Sequence, residues 1–102
     1  MVAQADGLDE YSKRHKKILI SVLEELLKGP KKQTNLSKEL GYDIIPVVSC
    51  LGYLQGKKLV EEDMRNFIVK EGEPAVVDSI YRINNGSSSS VNKYLDLLKI
   101  YE

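Results

Sequence analysis

The sequence predicts an α+β fold, mainly helical: a three-helix core, a long two-stranded hairpin and a C-terminal helix. Three observations lead there. Apolar residues recur at helical spacing over three segments of the first half, β-prone runs flank the turn sequence Glu71-Gly72-Glu73-Pro74, and a final helical stripe follows the polar run Asn84 to Ser90. A chain of 102 residues can close around one modest core, so a deep cleft between domains is not expected.

From Asp9 to Lys28, the residues Ile18, Leu19, Val22, Leu23, Leu26 and Leu27 form one apolar stripe with charges between them, which predicts a long amphipathic helix stopped at Gly29-Pro30. Thr34 can cap a short second helix carrying Leu36 and Leu40 and closed by Gly41. Asp43 then suits the N-cap of a third helix, with Pro46 tolerated in its first turn and Val47, Cys50, Leu51 and Leu54 on one face. Three helices with a tight glycine turn between the second and third make a helix-turn-helix arrangement. Leu59 to Lys70 pairs with Ala75 to Ile83 as the hairpin, with a bulge or break expected near Asp63 to Asn66. The stretch NNGSSSS reads as a hinge, and Val91, Tyr94, Leu95, Leu98 and Tyr101 form the stripe of the last helix. The expected organisation is a flexible segment at 1–10, a domain at 11–83, a hinge at 84–90 and a terminal helix at 91–102.

Lys plus Arg number 15 and Asp plus Glu number 15, so the formal net charge is zero. One cysteine, Cys50, cannot build an internal disulfide framework, and the first residues lack the charged start and apolar run of a secretion signal. An intracellular, cytoplasmic protein that does not enter membranes is expected. Cys50 lies on the apolar face of the third helix and reads as a small buried hydrophobe. His15 has no second histidine or cysteine at ligand spacing, so no metal is expected. No nucleophile with a base, paired carboxylates or glycine-rich phosphate loop appears, so neither catalysis nor a cofactor is expected.

The ordered set of Thr34, Leu36, Leu40, Gly41, Val47, Leu51, Leu54 and Leu59-Val60, followed by the later IYRI, resembles the winged helix-turn-helix DNA-binding domains of small bacterial and archaeal transcription regulators, most of all archaeal and archaeal-virus members. The resemblance covers Lys31 to Ile83, and nearly the whole domain with the preceding helix. It implies a winged helix-turn-helix fold whose third helix enters the major groove of double-stranded DNA, whose second helix starts on phosphates and whose hairpin, the wing, touches the backbone or minor groove. Carried onto this chain, Ile44, Ile45, Pro46, Val48, Ser49, Gly52 and Tyr53 face the groove, with Ile45, Pro46, Ser49 and Tyr53 toward bases. Lys31, Lys32, Thr34, Lys57 and Lys58 hold phosphates. On the wing, Arg65, Asn66 and Lys70 are the only cationic or neutral polar contacts among Glu61, Glu62, Asp63, Glu71 and Glu73. Terminal helices of such regulators commonly form two-fold dimers, which implies a homodimer through Val91, Tyr94, Leu95, Leu98 and Tyr101.

Charge placement agrees with the resemblance in one half only. Tyr11 to Lys58 holds ten basic and four acidic residues, a balance of +6, whereas Leu59 to Asp78 holds two against six, a balance of −4. The basic run Lys13 to Lys17 reads either as a nucleic-acid patch or as a solvated helix face. The third helix departs from the family pattern, since guanine and adenine edges are distinguished by bidentate polar side chains and this helix offers mostly apolar ones. Two functions are therefore open. One is a nucleoid-associated, homodimeric transcription regulator that occupies a promoter or operator; the other is a protein-interaction module using Ile44, Ile45, Val48 and Tyr53.

Overall fold

In a computed structural model of the chain, described at residues 8–64, 67–68, 71–72 and 76–100, the first expected helix is two helices. Asp9 caps α1 (Glu10–Arg14) by accepting the Ser12 amide at 2.9 Å. His15, at φ −117° and ψ 27°, leaves helical geometry and separates α1 from α2 (Lys16–Leu27). The apolar stripe bends with it: Leu19, Ile20, Val22, Leu23 and Leu26 of α2 turn into the core, while α1 swings its polar Ser12 into a buried position.

The next unit follows expectation more closely. Helix α3 (Gln33–Leu40) ends at Gly41, whose φ of +75° is a left-handed conformation that glycine reaches without a Cβ penalty. The chain then turns into α4 (Ile44–Gly56), which buries Val47, Cys50, Leu51 and Leu54 against α2 and α3. Asp43 occupies the N-cap position of α4 with extended backbone, but its side chain makes no capping bond.

Strand β2 (Val60–Met64) pairs antiparallel with β5 (Ile80–Ile83), and the register slips between Glu62 and Met64, so Asp63 is a bulge. Past that bulge the hairpin resumes as β3 (Phe67–Ile68) against β4 (Val76–Val77). The break was expected; the third strand was not. β1 (Lys31–Lys32) pairs with the other side of β5, giving a three-stranded antiparallel sheet of order β1-β5-β2. The described residues are thus α+β, mostly helical with a small three-stranded antiparallel sheet and the separate two-stranded pair β3-β4.

The C-terminal helix corrects the expected dimer face. Helix α5 (Ser88–Ile100) starts within the serine run, and its residues Val91, Tyr94, Leu95 and Leu98 are at most 7% exposed because they pack into the chain's own core, largely on α2. A stripe already covered by α2 is not available to a second copy; Tyr101 lies outside the described residues. The expected hinge is tied down as well. The Asn84 amide group donates to the Lys58 carbonyl at 2.9 Å, the Ser87 hydroxyl to the same carbonyl at 3.3 Å, and the Asn84 backbone to Leu59 at 2.9 Å. Lys58 accepts the two side-chain bonds from a left-handed conformation, φ 63°, unusual for a residue with a Cβ.

Candidate nucleic-acid interface

Helix α4 is two-faced. Its inner residues Val47, Leu51 and Leu54 are fully buried, whereas Ile45 is 79% exposed, with Ile44 and Val48 exposed beside it. Ser49 is exposed and Pro46 half-buried on the same helix. Burial of the inner face fixes the helix on the core and leaves its N-terminal half standing out with little side-chain polarity.

The rear of α4 is fastened to α1 and α5 by a polar cluster. Ser12, wholly buried, shares hydrogen bonds with the hydroxyls of Tyr53 from α4, at 2.9 Å, and of Tyr94 from α5. Tyr53 donates to the Asp9 carboxylate, which can only accept, so the hydroxyls order into one chain running Tyr94 to Ser12 to Tyr53 to Asp9. The Tyr11 ring stacks on Tyr53 with centroids 4.2 Å apart, and its hydroxyl meets that of Ser49 at 2.9 Å. Lys57 places its ammonium 5.3 Å from the Tyr53 centroid and 5.5 Å from that of Tyr94, while pairing with Asp9 at 3.8 Å. Burial pushes the Tyr53 and Tyr94 hydroxyls, and the Cys50 thiol, to higher pKa. All three stay protonated at neutral pH, and the thiol is unreactive in that state.

Asp9 moves the other way. Burial would raise its pKa, but the Tyr53 hydroxyl, the Ser12 amide and the Lys57 charge together lower it from 3.8 to about 2. A carboxylate whose pKa is depressed on folding adds stability that is present above pH 3.8 and lost as pH falls toward 2. Acid titration of unfolding should therefore show a loss across that window that Asp9→Asn removes, while a variant keeping the wild-type acid profile would show that Asp9 is not held there.

This packing places the residues expected to touch DNA differently from one another. Tyr53 spends its hydroxyl and ring on α1. Lys31 is 3.8 Å from Glu25 and 3.5 Å from Glu39, and only 26% of its side chain is exposed. The Thr34 hydroxyl donates to both oxygens of the buried Asp78 at 3.1 and 3.0 Å, and its amide donates to the same carboxylate at 3.3 Å. The adjoining Gln33 amide donates to the Ser79 carbonyl at 3.0 Å. The start of α3, expected on phosphates, is thus satisfied from within by the chain preceding β5. Lys32 and Lys58 are exposed. Arg65 and Lys70 lie outside the described residues. At the β2–β5 pair, Arg82 is held by Glu61 and lies 3.4 Å from Asp63, so the one described cation there is neutralised.

Sequence reasoning gave Lys13 to Lys17 no firm role. The structure sets Lys13, Arg14, His15, Lys16 and Lys17 around one open groove with Ile18 and Tyr42, the residue that leads from α3 toward α4. The signal was the unbroken basic run; that it abuts the α3–α4 turn could not be read from spacing.

No known protein family matches the sequence, and no curated protein matches it. Among solved structures, the chain is similar in fold to the circadian clock associated protein Pex from Anabaena, with a TM-score of 0.59 and 15% sequence identity over 85% of this chain and 78% of that one. Among the described residues, no helix is long and apolar enough to cross a membrane and no group of three or more metal-ligating side chains occurs.

Proposed function

We propose that the chain is a winged helix-turn-helix DNA-binding protein that regulates transcription from inside the cell by occupying a promoter or operator, with no chemistry of its own. In this reading α3 and α4 are the helix-turn-helix, α4 enters the major groove and the β2–β5 hairpin is the wing. The observation that carries it is the presentation of α4: an inner face fully buried, an outer face with Ile45 79% exposed, and a surrounding half-chain of balance +6. Ile45 and Pro46 would meet thymine methyls and sugars, and Ser49 a base edge or a phosphate; exposed Lys32 and Lys58 would hold phosphates, whereas Lys57 is engaged by Asp9 and two tyrosine rings. Such a surface supplies affinity with modest base discrimination. The α5 residues expected at a dimer seam that are described, Val91, Tyr94, Leu95 and Leu98, are buried in the chain's own core, so a single copy would sit on DNA.

The test is Ile45→Glu in a fluorescence anisotropy titration against mixed-sequence duplex DNA. An anion placed in the groove should weaken binding by roughly tenfold or more without loss of fold, because the position is solvent-exposed. Unchanged DNA affinity would remove α4 from the interface. It would favour the second reading, in which exposed Ile44, Ile45 and Val48 bind a protein partner.

A further inference from the structure

We infer that the groove at the α1–α2 joint is a second nucleic-acid contact, seating the sugar–phosphate backbone of duplex DNA beside the stretch met by α4. The inference rests on the DNA-binding reading and adds to it a site that accounts for where the phosphates go. Of the cations expected to hold them, Lys31 is engaged by Glu25 and Glu39, Lys57 by Asp9 and two tyrosine rings, and the α3 start by Asp78. Lys32 and Lys58 alone would make a weak electrostatic footprint.

The groove supplies what is missing. It is lined by Lys13, Arg14, His15, Lys16 and Lys17 and by no acidic residue, so it presents a local excess of positive charge. A continuous helix would distribute five successive side chains around its circumference; here the helix is interrupted at His15, whose φ of −117° and ψ of 27° are not helical, and the five line one groove. Its lining is mainly apolar, from lysine stems, Ile18 and Tyr42, beneath cationic tips. An apolar floor with a cationic rim suits alternating deoxyribose and phosphate. Two links tie the groove to α4: Tyr42 lines it and lies two residues before Ile44, and Tyr11 of α1 hydrogen-bonds Ser49 of α4 at 2.9 Å. Arg14 pairs with Glu10 at 3.2 Å between side chains 70% and 74% exposed, a pair that a phosphate can displace at little cost.

The experiment compares wild type, Arg14→Ala/Lys17→Ala and Ile45→Glu on the same duplex across a salt series. Arg14 and Lys17 are exposed, so the double variant should keep its circular dichroism and unfolding midpoint. Each phosphate contact contributes about −0.9 to the slope of log affinity against log salt, so the double variant should lose about 1.8 from the slope and roughly tenfold or more in affinity at about 50 mM salt. A slope equal to wild type, with Ile45→Glu still impaired, would overturn the groove contact and leave α4 on DNA. Absence of wild-type binding to duplex at about 50 mM salt would overturn the DNA reading itself, and this inference with it.

Discussion

Leu98→Ala should destabilise the protein by about 2–5 kcal/mol, and the midpoint of unfolding should not depend on protein concentration. Leu98 is fully buried in the same cluster as Leu19, Leu23 and Val91, so its truncation removes apolar contacts and leaves a cavity that the rigid α2–α5 packing closes only in part. Were the α5 stripe a dimer seam, the loss would appear as weakened association, and unfolding midpoints would shift with dilution by mass action. Urea unfolding of wild type and variant at two concentrations roughly a hundredfold apart separates the two. A loss below about 1 kcal/mol, or a dilution-dependent midpoint, would contradict the inward packing of this helix.

Asp78→Ala should cost about 2 kcal/mol, in the range for hydrogen bonds to a charged partner. The carboxylate, 4% exposed, takes the Thr34 hydroxyl on both oxygens and the Thr34 amide on one, joining the segment before β5 to the first turn of α3. Its removal leaves the Thr34 amide without that acceptor and takes a negative charge from the positive end of the helix. Thermal unfolding of Asp78→Ala beside Thr34→Val checks the assignment. If the two residues stabilise the fold mainly through each other, the double variant should lose clearly less than the sum of the singles. Strict additivity would show that the bond contributes nothing.

The contrast between these residues shows what was legible in the sequence. Helices α2, α4 and α5, the Gly41 turn and the interrupted hairpin all rest on local signals, apolar periodicity and turn chemistry, and these survive folding unchanged. Thr34 reads from the sequence as the cap of the second helix, but Lys32 holds the N-cap position and Thr34 lies inside the first turn, where its hydroxyl donates to a carboxylate 44 residues away. No spacing announces such a partner. Strand β1 escaped for a related reason: Lys31 and Lys32 carry no alternation of apolar residues, and their strand character comes only from pairing with Tyr81 and Ile80. The stripe of α5 was plainly visible, yet periodicity says that a face is covered without saying by what.

The expected interface divides along the same line. Exposure of Ile45 could be anticipated from its place opposite Val47, Cys50, Leu51 and Leu54. The engagement of Tyr53 and Lys57 could not, because it depends on α1 breaking from α2 at His15 and bringing Asp9, Tyr11 and Ser12 onto α4. That break turns a predicted base contact into part of a supporting cluster, and turns a basic run that looked like a solvated face into one wall of a groove.

The most direct measurement is anisotropy of the wild-type protein against mixed duplex DNA at about 50 and about 200 mM salt. With Arg14, Lys17, Lys32 and Lys58 each neutralising one phosphate, the slope should be near −3.6 and the affinity should fall roughly 150-fold over that range. A protein that shows no binding to duplex DNA at the lower salt, or binding indifferent to salt, would contradict the account.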